Sequence, residues 1–376
     1  DNSCRFDDGS NCQMRRSGVD GGDQDKFTLS MWIKRGAIST SFPRLFTSRA
    51  SSNDRFEIYF GSDDTLYVEG VDNGTATLLL NTNREFRDVS AWYHFLLAVD
   101  TDQATASNRA KLWINGVQET SFATETYPAQ DGNIGINTSS FPIRIAEEDA
   151  SGVDFDGYLT EIVYLDGVQK TNTDFGEFDE DSGIWKPIDV SDLSSEKGNN
   201  GFYLDFEDSS NLGNDVFGGT DFSVSNLSSV DQSTDTCTNN FAVLNPLAIM
   251  NNINQNHGDL SEGNLKIVGN STTNNANAYS TIGFTKGKWY METKILGTST
   301  HYPNLGIVPY RTSVILVGSG QVGADTVSFA YKTTGQKTNN TDSSYGDSFT
   351  TNDIIGIAVD MDNGAIYFSK NGTFQA

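Results

Sequence analysis

The sequence predicts an all-β protein built from two antiparallel β-sandwich domains in tandem. Its 376 residues include 36 Gly, 23 Phe and 14 Tyr but 7 Pro and 5 Met, a composition that favours short strands joined by tight turns. Few segments repeat helix-forming residues at the period of a helix. The length suits about two domains of roughly 150 residues, each large enough to bury its own core.

Short segments of alternating apolar and polar residues fill the first half of the chain. In the segment 27–34, Phe27, Leu29, Met31 and Ile33 recur with period two, which is typical of a strand. Further strands are predicted at 44–49, 56–60, 65–69, 141–146, 155–164 and 202–206, and a short helical turn at 172–178. Strands at this spacing, separated by Gly, Ser, Asn and Asp, predict an antiparallel sandwich that the last strand closes.

The most informative segments of that half are 92–100 and 111–117. The first is an almost unbroken apolar and aromatic run, and the second alternates and closes on Asn115-Gly116, a strong hairpin signal. Together they resemble the central hairpin of laminin-G-like (concanavalin-A-like) jelly-roll domains. The resemblance implies a module that binds glycans or proteins without doing chemistry. We expect Trp113 to lie between the sheets and the other strand tryptophans to be buried as well, namely Trp32, Trp92 and Trp289.

The segment 207–258 is predicted to be an ordered connector. It is rich in Asn, Ser and Asp but keeps isolated apolar residues, which favours a segment laid over a surface rather than a free linker. It resembles a stretch of marine bacteriophage structural proteins at 221–227, 231–236 and 238–246, with Cys237 where that stretch has Pro. This resemblance implies a phage origin.

The second domain is predicted at 259–376. Gly-Lys-Trp-Tyr-x-Glu at 287–292 and the apolar segments of 353–372 resemble the SPRY (B30.2-like) domain, another antiparallel sandwich without chemistry in most members. Asn363-Gly364 predicts a type I′ turn between its last two strands. The SPRY strands expected after residue 372 do not follow, so we expect a truncated C-terminus. The predicted organisation is a laminin-G-like domain at 1–206, a connector at 207–258 and a SPRY-like domain at 259–376.

The charge of the chain limits its partners. The formal net charge is −25, from 50 acidic and 25 basic residues, so nucleic acid is not expected as a partner. The longest apolar run, near 92–99, is far shorter than the ~18 residues of a membrane-spanning helix, and no membrane insertion is expected.

Three cysteines leave the redox compartment open. Cys4 and Cys12 flank a predicted turn, so they either form a cross-strand disulfide or pack as two small apolar residues in the sandwich. The odd total favours the second interpretation. Cys237 is expected to be a free thiol.

Calcium is the cofactor that the sequence suggests. Asp100-x-Asp102 and Asp154-x-Asp156 are paired carboxylates, and the laminin-G-like resemblance implies calcium held at a rim by Asp and Asn side chains. We take these four aspartates as candidate Ca²⁺ ligands. A hard cation needs about six or more oxygens, so other loops would have to contribute.

Exposed aromatic side chains beside Asn and Asp on loops are typical of glycan sites. The second domain has this combination in one predicted loop. The candidate ligand-binding residues are therefore His301, Tyr302, Asn304 and Tyr310.

The most enzyme-like feature is the acidic run 177–181. Glu177 and Asp179 have the spacing of the paired carboxylates of jelly-roll glycoside hydrolases, but the third position, which needs Glu, holds Asp181. The run lies in a Gly-flanked loop, which favours solvated charges. No nucleophile motif accompanies the three histidines, so no enzymatic activity is expected.

We interpret the chain as a non-enzymatic virion-surface or tail-fibre protein of a bacteriophage. Its expected partners are a host-surface glycan or protein receptor and neighbouring virion proteins, and it is expected to be an oligomer in the particle. Two alternatives stay open. One is a polysaccharide depolymerase, which would need two carboxylates about 5–10 Å apart in a cleft. The other is a bacterial adhesin, which would be extracellular and secreted.

Overall fold

The structure is a computed structural model that describes residues 2–18, 21–38, 42–137, 141–147, 153–248, 258–269, 277–298, 302–309 and 321–376. These residues form antiparallel sheets with a few helical turns, which confirms the predicted all-β class. Among them, no helix is long and apolar enough to cross a membrane.

The chain divides into two compact units. The first contains Asp1–Val243 and Ser261–Leu265, and the second contains Leu244–Leu260 and Lys266–Ala376. The first unit thus extends past residue 206, where the sequence predicts the end of the first domain.

The first unit is a sandwich of two eight-stranded sheets. The first sheet contains, in spatial order, β10 (Val117–Gln118), β9 (Ala110–Ile114), β8 (Tyr93–Asp100), β3 (Lys26–Arg35), β13 (Gly157–Asp166), β1 (Ser3–Phe6) and β18 (Gln232–Ser233), with β16 (Phe202–Leu204) also paired to β13. The second contains β11 (Phe122–Thr126), β7 (Thr75–Glu85), β6 (Thr65–Asp72), β5 (Arg55–Phe60), β4 (Arg44–Arg49), β12 (Ile143–Ile145), β2 (Gln13–Arg16) and β17 (Ser223–Ser225).

Short elements connect and cover these strands. A small ladder joins β14 (Gly176–Phe178) to β15 (Trp185–Pro187). The helical elements are α1 (Ala106–Arg109) and the 3₁₀ turns Asp8–Ser10, Asn172–Asp174, Ser191–Glu196 and Ser229–Asp231, with Pro246–Ala248 in the second unit. The turn at Asn172–Asp174 lies where the sequence predicts one.

The main core lies between the two sheets. Alternate residues of each strand point inward, so Phe27, Leu29, Met31 and Ile33 are all at most 1% exposed. Cys4 and Cys12 are free thiols buried in this core, in line with the second of the two interpretations above, and Cys237 is a partly buried free thiol.

The first sheet is also covered on its outer face. Leu97 of β8 points into the main core, whereas its neighbours Leu96 and Ala98 pack outward with Trp113, Phe175 and other residues of 163–217. Trp113 is buried, at 7% exposure, but the expectation that it lies between the sheets is wrong. Because both faces of β8 are buried, its sequence is a nearly continuous apolar run rather than an alternating one.

The segment 207–243 is built into the first unit. Strands β17 and β18 extend the two sheets, and Phe222 is 3% exposed. The Lys34 ammonium, fully buried on β3, lies 2.7 Å from Asp235 Oδ2, and the Trp92 indole donates to Asp235 Oδ1 at 3.0 Å. These contacts hold residues 235–241 against the outer face of the first sheet, because Lys34 also donates to the Phe241 carbonyl.

The second unit contains two four-stranded sheets. One orders β21 (Lys288–Lys294), β26 (Ile354–Asp360), β27 (Ala365–Lys370) and β28 (Thr373–Phe374), and the other orders β22 (Asn304–Ile307), β23 (Phe329–Lys332), β24 (Gln336–Asn339) and β25 (Thr341–Ser344). A separate ladder pairs β19 (Gly258–Ser261) with β20 (Lys266–Gly269). Alternate residues of β26 form the core with Tyr331 and Phe368.

Two local expectations for the second unit are wrong. Asp360 pairs with Ala365, so four residues form the turn between β26 and β27, and of Asn363 and Gly364 the glycine alone has a positive φ, 65°. The two-residue type I′ turn, which needs positive φ at both residues, is not formed. Trp289 is 42% exposed rather than buried, because it lies near the start of the outermost strand, β21, and stacks on Phe284.

Candidate functional site

Five arginines lie on the outward face of the second sheet. The register places Arg15, Arg144 and Thr47 side by side, and the same row continues to Glu57 and Glu69. Residues two positions along a strand share a face, so further side chains join this row. We call the set the arginine face: Arg15, Arg44, Arg49, Arg55, Arg144, Glu57, Tyr59, Tyr67 and Glu69.

Glu57 holds three of these arginines. Its carboxylate oxygens lie 2.9 Å from Arg49 Nη1, 3.4 Å from Arg44 Nη2 and 3.4 Å from Arg55 Nε. The Glu57 side chain is 1% exposed, whereas each of the three arginine side chains is 13–19% exposed. The Glu57 carboxylate therefore lies beneath the guanidinium groups. Glu69, 19% exposed like Arg55, lies 3.0 Å from Arg55 Nη2, so the set carries five positive and two negative charges.

A stack of aromatic rings orders one end of the face. The Tyr59 and Tyr67 ring centroids are 5.0 Å apart with an interplanar angle of 7°, and the Arg44 guanidinium lies 4.2 Å from the Tyr59 centroid. Burial raises the pKa of Tyr59 well above its usual value, so its hydroxyl stays protonated and can act as a hydrogen-bond donor. The stack restricts the rotamers of Arg44 before any ligand binds.

Arg15 extends the face beyond this network. It is exposed on β2, next to Arg144 in register, and makes no ion pair among the described residues. The five arginines are a fifth of all the basic residues in the chain. Guanidinium groups match carboxylate and sulfate oxygens in a bidentate geometry, so this face is suited to an anionic ligand.

The second unit has an aromatic groove. It has a volume of about 360 Å³ and is lined by Lys288, Trp289, Tyr290, Ala358, Val359, Asp360 and Tyr367. Tyr290 and Tyr367 are 55% and 52% exposed and flank the small Ala358 in register. Exposed rings on either side of a small residue offer an apolar platform to a flat or ring-shaped ligand.

The predicted ligand-binding loop is only partly described. Tyr302 is 73% exposed, and Asn304 lies on β22, where its side-chain amide donates to Gln321 at 3.1 Å. His301 and Tyr310 lie outside the described residues. Neither Tyr302 nor Asn304 lines the aromatic groove.

The four predicted metal ligands lie at opposite ends of one strand. The Asp100 and Asp102 carboxylates are each 3.4 Å from Lys26 Nζ, where β3 begins, whereas the Asp156 carbonyl accepts from the Gly36 N–H, just after β3 ends. Ten residues of strand separate these ends by about 30 Å, so the two pairs cannot share one ion. Asp154 and Asp156 lie near Asp7 and Asp8, which the sequence analysis did not single out as ligands.

The acidic run 177–181 has the electrostatics of solvated charges. Lys186 Nζ lies 3.4 Å from Glu177 and 3.2 Å from Asp179. Hydrogen bonds from Ser182 and Lys186 lower the pKa of Asp179 to about 2. A glycosidase general acid needs a raised pKa instead, so Asp179 is unsuited to that role.

Comparison with known families agrees with the two-unit organisation. Residues 8–173 match the model of the concanavalin A-like lectin/glucanases superfamily, a laminin-G type of domain, and residues 288–375 match the SPRY domain. The first unit therefore contains a laminin-G-like domain, and the second contains a SPRY domain.

Individual relatives match either a small part of the chain or a larger part at low sequence identity. The ATP-dependent RNA helicase DDX1 of Xenopus laevis is 39% identical over 94 residues, which is 25% of this chain and 12% of the helicase. The match to the mouse laminin α1 domains LG4-5 spans 100% of this chain and 77% of the mouse chain, at 7% identity and a TM-score of 0.35. The match to a heptameric pentraxin of Limulus polyphemus spans 46% of this chain and 78% of the pentraxin chain, at 16% identity and a TM-score of 0.34. With TM-scores this low, neither structural likeness bears on what the chain binds.

Proposed function

We propose that the chain is a non-enzymatic attachment protein whose laminin-G-like domain binds an acidic surface glycan through the arginine face. The observation that carries this proposal is the gathering of five arginines on one outward sheet face of a chain with a net charge of −25. The match of residues 8–173 to a superfamily that includes lectins supports a sugar as the ligand.

The overall negative charge and a cationic binding face are compatible. The Debye length is about 8 Å at physiological ionic strength, so a sugar in contact with the arginines is screened from more distant carboxylates. Uronic acid carboxylates or sugar sulfates would pair with exposed guanidinium groups such as that of Arg15. Long-range repulsion would still slow the approach of a highly charged polymer.

Measuring the binding of an oligogalacturonic acid tests the proposal. Its methyl ester, which has the same sugar chain without the carboxylate charges, is the control ligand. We expect the free acid to bind, the methyl ester to bind at least about tenfold more weakly, and affinity to fall as salt is raised. Arg15→Ala should weaken binding without changing the melting temperature, because Arg15 lies outside the ion-pair network. Lys286→Ala, which removes an exposed charge from the second unit, is the matched control.

Equal affinities for the acid and the ester would contradict an anionic ligand. Unchanged binding by Arg15→Ala together with loss of binding by Tyr290→Ala would move the site to the aromatic groove. That groove is the second candidate, because its exposed rings suit an uncharged sugar.

We further propose that the protein acts at the surface of a bacteriophage virion and does not cleave its glycan. The phage-like segment within 221–246 supports the first part, and the ion-paired Glu177 and Asp179 support the second. Glu177→Gln and Asp179→Asn should leave glycan binding intact. Release of reducing ends from host polysaccharide by the wild type, lost in either variant, would establish the depolymerase instead.

A further inference from the structure

A buried lysine near the end of β3 contacts two side chains of the segment 235–241. The Lys34 side chain is fully buried, and its Nζ lies 2.7 Å from Asp235 Oδ2 and 2.7 Å from Asn240 Oδ1. A carbonyl bond is about 1.2 Å long, so the Asn240 amide carbon lies within about 4 Å of Nζ. An amine therefore meets a carboxamide and a carboxylate at one point of the fold. We call Lys34, Asp235 and Asn240 the lysine cluster.

Further hydrogen bonds orient the two partners of the lysine. The Trp92 indole donates to Asp235 Oδ1 at 3.0 Å, which leaves Oδ2 directed at Lys34. The Asn240 side-chain nitrogen, Nδ2, donates to the Ser90 carbonyl at 2.8 Å, which leaves the amide oxygen directed at Lys34. The reacting groups are thus held in position by the fold, which removes much of the entropic cost of bringing them together.

The surroundings of Lys34 favour a neutral amine. The Tyr158 ring centroid lies 5.8 Å from Nζ, and Tyr158 and Trp92 belong to one buried, mainly aromatic cluster. Burial lowers the pKa of Lys34, although Asp235 and Asp88 oppose the shift. The neutral amine is the nucleophilic form of lysine, and removal from water is one of the ways in which proteins activate it. The adjacent Asp235 carboxylate is placed to accept the proton that the ammonium must lose.

We propose that Lys34 and Asn240 form an intramolecular isopeptide bond, with Asp235 transferring the protons. The Lys34 ammonium gives one proton to the Asp235 carboxylate, and the neutral Nζ attacks the Asn240 amide carbon. Asp235 then gives this proton to Nδ2 and takes a second proton from Nζ. The bond between the amide carbon and Nδ2 breaks, and the departing ammonia takes the proton from Asp235. The net change is the loss of one ammonium ion, with no oxidant or other reactant.

The position of the lysine cluster fits this reaction and gives it a consequence. Asn240 is exposed, so the ammonia has a path to solvent. The bond would fasten the segment 235–241 to β3 and close a covalent loop that contains most of the first unit. Cross-links that close long loops stabilise a fold by restricting the unfolded chain. This cross-link is independent of the glycan proposal.

Intact-mass spectrometry of the whole chain, incubated folded until its mass is constant and then denatured, tests the bond. We expect a mass that is one ammonia below the value calculated from the sequence, and a tryptic product in which the peptides of Lys34 and Asn240 are joined. Lys34→Arg, Asp235→Asn and Asn240→Ala should each have the full mass calculated for the variant. Because Asn240 is exposed, Asn240→Ala keeps the test valid if a change at either buried position prevents folding.

Asn239→Ala and Lys26→Arg are the matched controls. They alter the neighbouring exposed asparagine and an ion-paired lysine of the same strand, and both should still lose one ammonia. A wild type of full calculated mass, whose Lys34 reacts with an amine reagent after unfolding, would overturn the proposal and leave a non-covalent ion pair. Loss of ammonia without joined peptides would indicate a succinimide at an asparagine and would overturn it as well.

Discussion

His94 shows how one residue of β8 is fixed by partners from distant segments. It is fully buried, stacks on Trp32 with ring centroids 4.9 Å apart, and both ring nitrogens are hydrogen-bonded. Trp185 Nε1 lies 3.0 Å from Nδ1, and an indole can only donate, so Nδ1 is the acceptor. The proton is therefore on Nε2, which donates to Ser30 Oγ at 2.8 Å.

This arrangement predicts acid sensitivity. Burial lowers the pKa of His94 from 6.5 to about 3, so below pH 6.5 the unfolded chain takes up a proton that the folded chain refuses. The stability contributed by neutral His94 is complete above pH 6.5 and is lost as pH falls toward 3. We expect the free energy of unfolding to fall by up to about 1.4 kcal/mol per pH unit in this range.

Urea denaturation at pH 7 and pH 5 measures the effect. His94→Gln, which has no group titrating near pH 6.5, should show a smaller loss between the two pH values than the wild type. Equal losses in both proteins would mean that His94 is not buried in its neutral form.

At the scale of the element, the two-sided burial of the first sheet has a measurable consequence. Trp113 of β9 packs with Leu96, Val163 and Phe175 on the outer face of this sheet, away from the main core. Trp113→Ala should lower the free energy of unfolding by roughly 3–5 kcal/mol, because it leaves a cavity under residues 163–217.

Chemical denaturation of Trp113→Ala and of the control Phe178→Ala separates this effect from the loss of any aromatic residue. Phe178 is 50% exposed, so its removal should cost much less. A melting temperature of Trp113→Ala within error of the wild type would show that the outer layer is not packed in solution.

At the scale of the whole molecule, the proposed function depends on many copies. Each chain offers one shallow cationic face, and contacts of this kind with a single glycan are weak. Linking several copies can raise the overall avidity by ~10²–10⁴ without any new contact. We therefore expect the isolated chain to bind host cells poorly, and the same chain displayed in many copies on a bead to bind well.

Cell-binding measurements on a verified monomer and on beads of increasing density check this expectation, with Arg15→Ala beads as the control. Tight binding by the monomer would contradict it. Absence of binding by dense beads to any host surface would favour a purely structural role in the particle.

Local sequence patterns were sufficient for the central hairpin and for most of the longer strands of the first unit, but no predicted strand covers β7. Period-two alternation identified the inward residues of β3, and Asn115-Gly116 forms the expected two-residue turn, with φ of 49° and 77°. Trp185 packs so closely on Gly116 that a Cβ there would lie 2.2 Å from its ring, so position 116 requires glycine. The Asn-Gly hairpin signal did not predict this contact. These features depend on neighbours along the chain, which is why they are visible in the sequence.

The tertiary structure decided which charged residues meet. Arg15, Arg49 and Arg144 come from three strands, and Asp7 and Asp156 are separated by most of a domain, so no spacing along the chain links them. The sequence therefore determined the all-β class, most of the longer strands of the first unit and the inward face of β3, because these follow from the local alternation of side chains. The pairing of distant strands brought Arg15 and Arg144 beside the arginines of β4 and β5, because register between such strands is set by the packing of the whole sandwich.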